Sequence, residues 1–205
     1  METKQVIIER RSTHNFDPKK TLSDKQLRDL FDLVKLAPSG YNLQPWEFLV
    51  LRDKENKQRL AKCAYNQQHI IDASATVVVL GNLDPYAHGD EVFNDWAAKG
   101  YMTKEIAEKT KQSIRQWSSF DLTTRRVWTT RSTALGAMTL MIAAKDMGLT
   151  SCPMEGFDPA AIKKEFSIPD QYEVVMLIAV GYESKPDGPR RMRYGFEQIV
   201  HLEKF

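Results

Sequence analysis

Two short basic clusters stand near the ends of the chain, Arg10-Arg11-Ser12 and Arg190-Arg191-Met192-Arg193. Guanidinium forks match phosphate oxygens two at a time, and a neighbouring hydroxyl adds another donor. Each cluster also has a plain reading, the first as a helix end favoured by the C-terminal dipole, the second as a solvated tail. Two further stretches carry possible chemistry. Residues 37–46 (APSGYNLQPW) crowd serine, asparagine and glutamine beside glycine and proline at a helix-to-strand junction. That is good turn chemistry and equally a polar rim for a ligand. Residues 152–157 (CPMEGF) contain Gly156, where main chain can approach a flat molecule closely; the alternative is a simple connection.

Other chemistries are absent. No G-x-G-x-x-G follows a strand, and there is no G-x-x-x-x-G-K-[ST] phosphate loop. His14, His69, His88 and His201 lie apart, without H-E-x-x-H or cysteine-pair spacing, so no metal site is expected. No G-x-S-x-G elbow offers a serine nucleophile. Cys63 and Cys152 read as small buried apolar residues, and a reduced, cytoplasmic chain is expected. The 29 Lys+Arg against 27 Asp+Glu leave a net charge of +2, no electrostatic argument for nucleic acid or an anionic membrane. No apolar run approaches the ~20 residues of a membrane span, and Val6-Ile7-Ile8 is too short for a secretory signal core.

The elements that must position these residues follow from pattern. Residues 1–10 read as a short helix. Ser23 opens another, with Gln26 at the capping-box spacing and Leu27, Leu30, Phe31 and Val34 along one face. Strands are expected at 47–52, 75–80 and 173–180, the second buried on both faces because its apolar run is continuous. Short helices are expected at 54–63 and 67–72. Residues 84–126 are helix-like and rich in charge and aromatics, split by Gly100, and suit either a pocket lid, a partner interface or an amphipathic hairpin. Residues 131–147 are the most hydrophobic helix, closed by Gly148. Asp158 and Pro159 start another as N-cap and first residue. The order is not a regular βαβ alternation, which favours an α+β fold, a small sheet wrapped by helices.

Taken in order along the chain, RRSTHNF (10–16), APSGYNLQPW (37–46), AYNQQHIIDAS (64–74), GAMTLMIAAKDMGLTSCPMEGFD (136–158), VVMLIAVGY (174–182) and the terminal arginines resemble the FMN-dependent nitroreductase family. The resemblance implies a central mixed sheet wrapped by helices, in an intertwined homodimer with FMN at the subunit interface. It implies one flavin-binding domain over 1–205, with 84–126 as a variable lid or interface insertion and 183–205 as an arm crossing to the partner. Arg10, Arg11 and Ser12 match phosphate and ribityl contacts; Arg191 and Arg193 match a second phosphate clamp, with Arg190 an alternative register. Pro38, Ser39, Gly40 and Asn42, with Gln44, match a loop that lines the flavin from the partner. Asn66 matches an amide at the ring edge or ribityl chain. Pro153, Glu155 and Gly156 match the loop along the other edge, with a backbone N–H aimed at flavin N5. Relatives often carry a lysine or arginine where this chain has His14 and sometimes a lysine where it has His69; either these histidines contact the flavin, His14 alone or with His69 supporting the negative charge of its reduced form and making its potential pH-dependent, or each is a surface or ring-stacking histidine. Tyr41, Tyr65 and Phe120 are candidate walls of a substrate channel. The implied activity is a ping-pong, two-electron reduction of nitroaromatics, quinones or related acceptors by NADH or NADPH, with no obligatory protein acid or base. Enone reduction, reductive dehalogenation, azoline oxidation and non-catalytic flavin binding are the alternatives on the same fold.

Overall fold

The computed structural model describes residues 2–205. Met1, at the head of the expected first helix, lies outside them. In chain order the helices are α1 (Thr3–Glu9), α2 (Asp24–Val34), α3 (Lys54–Cys63), α4 (Gln68–Asp72), α5 (Gly89–Ala98), α6 (Lys104–Gln116), α7 (Leu122–Asp146), α8 (Pro159–Glu165) and α9 (Phe196–Ile199). The strands are β1 (Trp46–Leu51), β2 (Ala75–Asn82), β3 (Thr150–Met154) and β4 (Tyr172–Gly181).

The sheet runs β1-β2-β4-β3, and each neighbouring pair is antiparallel. The parallel pairing expected of a mixed sheet is present among the described residues as one isolated bridge, Ser12 to Ser151. It lays the N-terminal segment along the outer side of β3. Sequence pattern gives three strands, and β3 is the one it lacks. Cys152, Pro153 and Met154 belong to that strand rather than to a connecting loop. Proline is tolerated there because β3 lies at the sheet edge.

Every residue of β2 is buried, as its continuous apolar run requires. Val77 and Val79 face one side and Val78 and Leu80 the other, the period-two alternation of a strand. On the first side they meet Leu30 and Val34 of α2 and Leu140 and Ala144 of α7. On the second they meet Leu60 of α3, Ile70 of α4 and Ile162 of α8. A third apolar cluster around Leu43, Tyr86, Phe93 and Ile114 binds α5 and α6 to the segment before β1. Gly100, at φ +79°, ends α5 and permits the turn into α6.

The central helix starts earlier than its hydrophobicity suggests, at Leu122 instead of Arg131. Asp121 caps it, its carboxylate accepting from the Thr124 N–H at 3.0 Å. The first turns are polar and partly exposed, so their apolar pattern is weak. Past β4 the chain runs out along the surface: residues 188–199 are all exposed, and Met192, Tyr194, Phe196 and Ile199 are left in solvent. Among the described residues no helix is long and apolar enough to cross a membrane.

Candidate functional site

The two basic clusters come together. Arg10 follows the end of α1 in extended backbone, and the chain then runs along β3, with the Thr13 N–H donating to the Ser151 carbonyl at 3.2 Å. Arg11 Nη2 donates to the carbonyls of Gly188 and Pro189 at 3.0 and 2.9 Å. Arg190 Nη2 donates to the carbonyls of Ile8 and Arg10. Thr13 Oγ1 donates to Asp187 at 3.0 Å. These bonds tie the chain after β4 onto the N-terminal segment.

Between them lies a cavity of about 180 Å³ lined by Arg10, Arg11, Arg190, Arg191 and Arg193, together with Ser12 and His14. Among the described residues no carboxylate lines it. A larger cavity of about 360 Å³ on the far side of Arg10 and Arg11 includes Glu9, Glu183 and Asp187, and so is a poorer anion site. Nη1 of Arg10 is buried and has no hydrogen-bond partner among the described residues. Burial pushes the Arg10 guanidinium downward from its ordinary pKa, and the charges of Arg190, Arg193 and Arg11 push the same way. Desolvated, crowded like charges with an unmet donor are costly unless an anion joins them. The chemistry of the donor set fits a phosphate monoester, which carries roughly 1.5–2 negative charges and three acceptor oxygens.

His14 joins this cavity to a second group. Its ring centroid lies 4.6 Å from that of His69, at an interplanar angle of 51°. His69 is buried, with Nε2 3.0 Å from Met154 Sδ. Burial, and then His14, push its pKa down, which favours the neutral ring. Tyr65 and Asn66 next to it adopt left-handed backbone, φ 54° and 55°. Gln67 Nε2 donates to the carbonyls of Gly156 and Ala64 at 2.8 and 3.1 Å, and the Asp158 N–H donates to the Cys63 carbonyl at 2.8 Å. The turn at 64–67 is thus laced to the loop carrying Glu155 and Gly156. Sequence reasoning passes over Gln67, whose one signal is its place in the AYNQQH run. A Cβ at Gly156 would meet nothing closer than 3.6 Å. Packing within this chain therefore does not explain a glycine there, whereas close approach of a flat ligand would.

The remaining residues form a third group. Tyr41, Asn42 and Gln44 all have positive φ, between 46° and 54°; such strain clusters at functional loops. Ser132 Oγ accepts from the Gly40 N–H at 3.3 Å, and Ser39 Oγ accepts from the Gln44 N–H at 3.0 Å. A Cβ on Gly40 would come within 2.9 Å of the Trp128 ring. Pro38 is exposed at the entry to the loop. Tyr41 meets Trp117 edge-on at 5.2 Å, and Phe120 stacks on Trp117 at 6.2 Å.

This third group leads into β1 at one edge of the sheet, while Pro153, Glu155 and Gly156 lie on and just beyond β3 at the opposite edge. Three interstrand steps of ~4.8 Å put those edges about 14 Å apart. The residues expected to line a flavin thus fall into two groups within one chain: Arg10 through His14, Asn66, His69, residues 153–156 and the tail arginines in one, and Pro38 through Gln44 with Phe120 in the other. The three expected channel walls are divided in the same way, since Tyr65 stands with Gly156 and is 74% exposed, away from Tyr41 and Phe120.

Neither cysteine is poised as a nucleophile. Both are free; burial pushes the Cys152 thiol up to about 11 and raises that of Cys63. Among the described residues no group of three or more His, Cys, Asp or Glu side chains could hold a metal ion.

Comparison with known proteins supplies a lineage. The profile described as Nitroreductase family matches residues 7–182. YodC of Bacillus subtilis is 37% identical over 185 residues, 90% of this chain and 91% of that protein. The NADH dehydrogenase of Thermus thermophilus is 30% identical over 202 residues, 98% of this chain and 95% of that protein. A crystal structure from Exiguobacterium sibiricum, in complex with FMN, superposes with a TM-score of 0.90 at 25% identity, covering 99% of this chain and 98% of that one.

Proposed function

Because the chain belongs to the nitroreductase family, we propose that it is an FMN-dependent oxidoreductase that passes two electrons from NADH or NADPH to nitroaromatic, quinone or related acceptors. The observation that carries this reading is the cavity between the two ends of the chain, free of carboxylates among the described residues and lined by Arg10, whose buried Nη1 has no hydrogen-bond partner among those residues.

In this reading Arg10, Arg11, Arg191 and Arg193 hold the FMN phosphate, Arg190 fastens the tail, and Ser12 meets the ribityl chain. Asn66 and the backbone of Glu155 and Gly156 border the ring, the latter offering an N–H to N5. Gln67 fixes that border by gripping the Gly156 carbonyl. His14 faces the flavin, and His69 supports it as a neutral, buried neighbour. Bound there, FMN would supply two-electron redox chemistry between the pyridine nucleotide and the acceptor. The chain itself binds, orients and screens from water; solvent protonates the product.

The division of the site between opposite sheet edges makes a second copy part of the proposal. Pro38, Ser39, Gly40, Asn42 and Gln44 of that copy would close over the flavin held by the first. Exposed apolar side chains suit such a homodimer: Leu33 and Leu36 at the end of α2, Leu135 and Met138 on α7, and Tyr194, Phe196 and Ile199 on the tail. Residues 1–205 then act as one flavin domain, 84–126 as the lid on the acceptor side and 183–205 as the crossing arm. The free cysteines suit a reduced, cytoplasmic setting.

The test is optical. Purified protein is expected to carry one FMN per chain, which bleaches with NADH or NADPH and recovers its colour on addition of a nitroaromatic or quinone. A colourless protein that takes up no FMN, or a bound flavin that no pyridine nucleotide bleaches, removes the reading.

A further inference from the structure

We infer that Arg125 is a specificity-determining residue, which receives the negatively charged group of a planar aromatic electron acceptor. One face of α7 carries the segment before β1. Ser132 takes the Gly40 N–H, Trp128 packs under Gly40, and Gly136 lets Trp46 lie within 3.2 Å of where its Cβ would stand. Arg125 begins that row, three residues before Trp128 and seven before Ser132, so it lies on the same helix face. Above it Trp117 is the hub of a ring cluster, with Tyr41 at 5.2 Å and Tyr86, Phe120 and Trp128 each at 6.2 Å. Tyr41 and Phe120 keep 48% and 46% of their surface exposed, so two rings of the cluster are open to solvent.

Arg125 differs from the arginines near it. Arg126 pairs with Glu173 at 3.0 Å, and Arg115 pairs with Asp90. Nε of Arg125 is buried with no hydrogen-bond partner among the described residues. Arg125 stands one turn before Trp128, whose ring lies 6.4 Å from that of Tyr86, and its charge opposes the burial that raises the Tyr86 hydroxyl's pKa; of the exposed carboxylates near it, Asp121 is engaged with Thr124, and Asp84 adds to the Tyr86 shift. A planar cation one helical turn from these rings offers a two-point contact for a carboxylate on an aromatic ring that stacks on them. The inference rests on the reductase reading for what happens to the ligand, and not for its binding.

The experiment compares 4-nitrobenzoate with its uncharged methyl ester, on wild-type holoprotein and on the Arg125→Gln and Arg125→Lys variants. Calorimetry on the oxidised holoprotein gives dissociation constants; steady-state rates give kcat/KM. Wild type is expected to favour the acid by about tenfold or more, as one charge-assisted contact supplies. Arg125→Gln removes that preference, Arg125→Lys keeps part of it, and KM for NADH and NADPH stays within about twofold. Because a buried donor without a partner does not stabilise the fold, Arg125→Gln should leave Tm unchanged or higher. No preference in wild type, an intact preference in Arg125→Gln, a loss that falls on the nucleotide, or a lowered Tm would each overturn the assignment. Preferential binding of the acid with no turnover of either compound would keep the assignment and remove the reductase reading.

Discussion

Replacing Arg10 by Met should move two measurements in opposite directions. The methionine retains an unbranched apolar stem but removes the buried Nη1, which has no partner among the described residues, and a charge crowded by Arg190, Arg193 and Arg11. An unmet buried donor costs about 1–3 kcal/mol. The flavin-free variant should therefore be more stable than flavin-free wild type by a similar amount, and at about 2–4 °C per kcal/mol for a chain of this size the gain is several degrees in Tm. FMN affinity should fall. A hydrogen bond to a charged partner contributes about 1.5–3 kcal/mol, which corresponds to roughly a 10- to 150-fold rise in Kd. Added FMN then raises the Tm of wild type much more than that of the variant, since the shift scales with ligand concentration over Kd. The assay is a thermal melt of both proteins with and without FMN, alongside a flavin fluorescence titration. A variant that melts lower without flavin and binds FMN as tightly as wild type would show that Arg10 is a structural side chain, and would refute the use of its orphan nitrogen as the mark of an anion site.

Other substitutions separate packing from ligand contact. Gly40→Ala places a Cβ 2.9 Å from the Trp128 ring and should cost about 1–3 kcal/mol of stability by overpacking, read as a lower Tm without flavin. Gly156→Ala meets only ordinary contacts and should leave that Tm within a degree or so while weakening FMN binding at least several-fold; an unchanged affinity would count against a flat ligand at this loop. His69 is held below its ordinary pKa by burial, so the unfolded chain binds the extra proton first; stability is full above the unfolded value near 6.5 and is lost as pH falls through that value toward the folded one. Melts from pH 7.5 to 5 should fall less steeply for His69→Gln than for wild type, and parallel slopes would contradict this. His14→Ala should alter the slope of the flavin midpoint potential between pH 6 and 8, and identical slopes in the two proteins would remove His14 from the redox chemistry.

The parts of this structure that sequence exposes are those whose causes are local. Ser23 and Gln26 form the capping box that their spacing announces, with the Gln26 N–H donating to Ser23 Oγ at 3.2 Å and the Ser23 N–H to Gln26 Oε1 at 3.0 Å. Gly148, at φ +75°, follows α7 as the C-terminal pattern requires. β2 is legible because burial on both faces leaves no polar residue to interrupt its core. β3 is not, since a five-residue edge strand containing proline and pairing on one side has almost no local signature. The early start of α7 is hidden for a related reason: its first turns gain little from burial, and Asp121 acts through a cap rather than an apolar pattern. The meeting of Arg11 with Gly188 and Pro189 spans most of the chain, and spacing gives no hint of it; only the resemblance joins the two clusters. Gln67 matters through its bond to the distant Gly156 carbonyl, and Arg125, outside every motif, through the helix face it shares with Trp128 and Ser132. The separation of residues 37–46 from residues 152–157 is a property of strand order, which neither stretch reveals when read by itself.

The claim that one flavin is held by halves of two chains is tested most directly by mixing disabled subunits. One subunit carries Arg191→Met and Arg193→Met, removing the phosphate clamp; the other carries Pro38→Trp, which obstructs the opposite half-site from an exposed position. Each homodimer should be nearly flavin-free. A purified heterodimer of the two should regain one intact site, seen as one bound FMN per dimer that NADH or NADPH bleaches. A heterodimer as empty as its parents would show that both halves must come from a single chain, and would contradict the account.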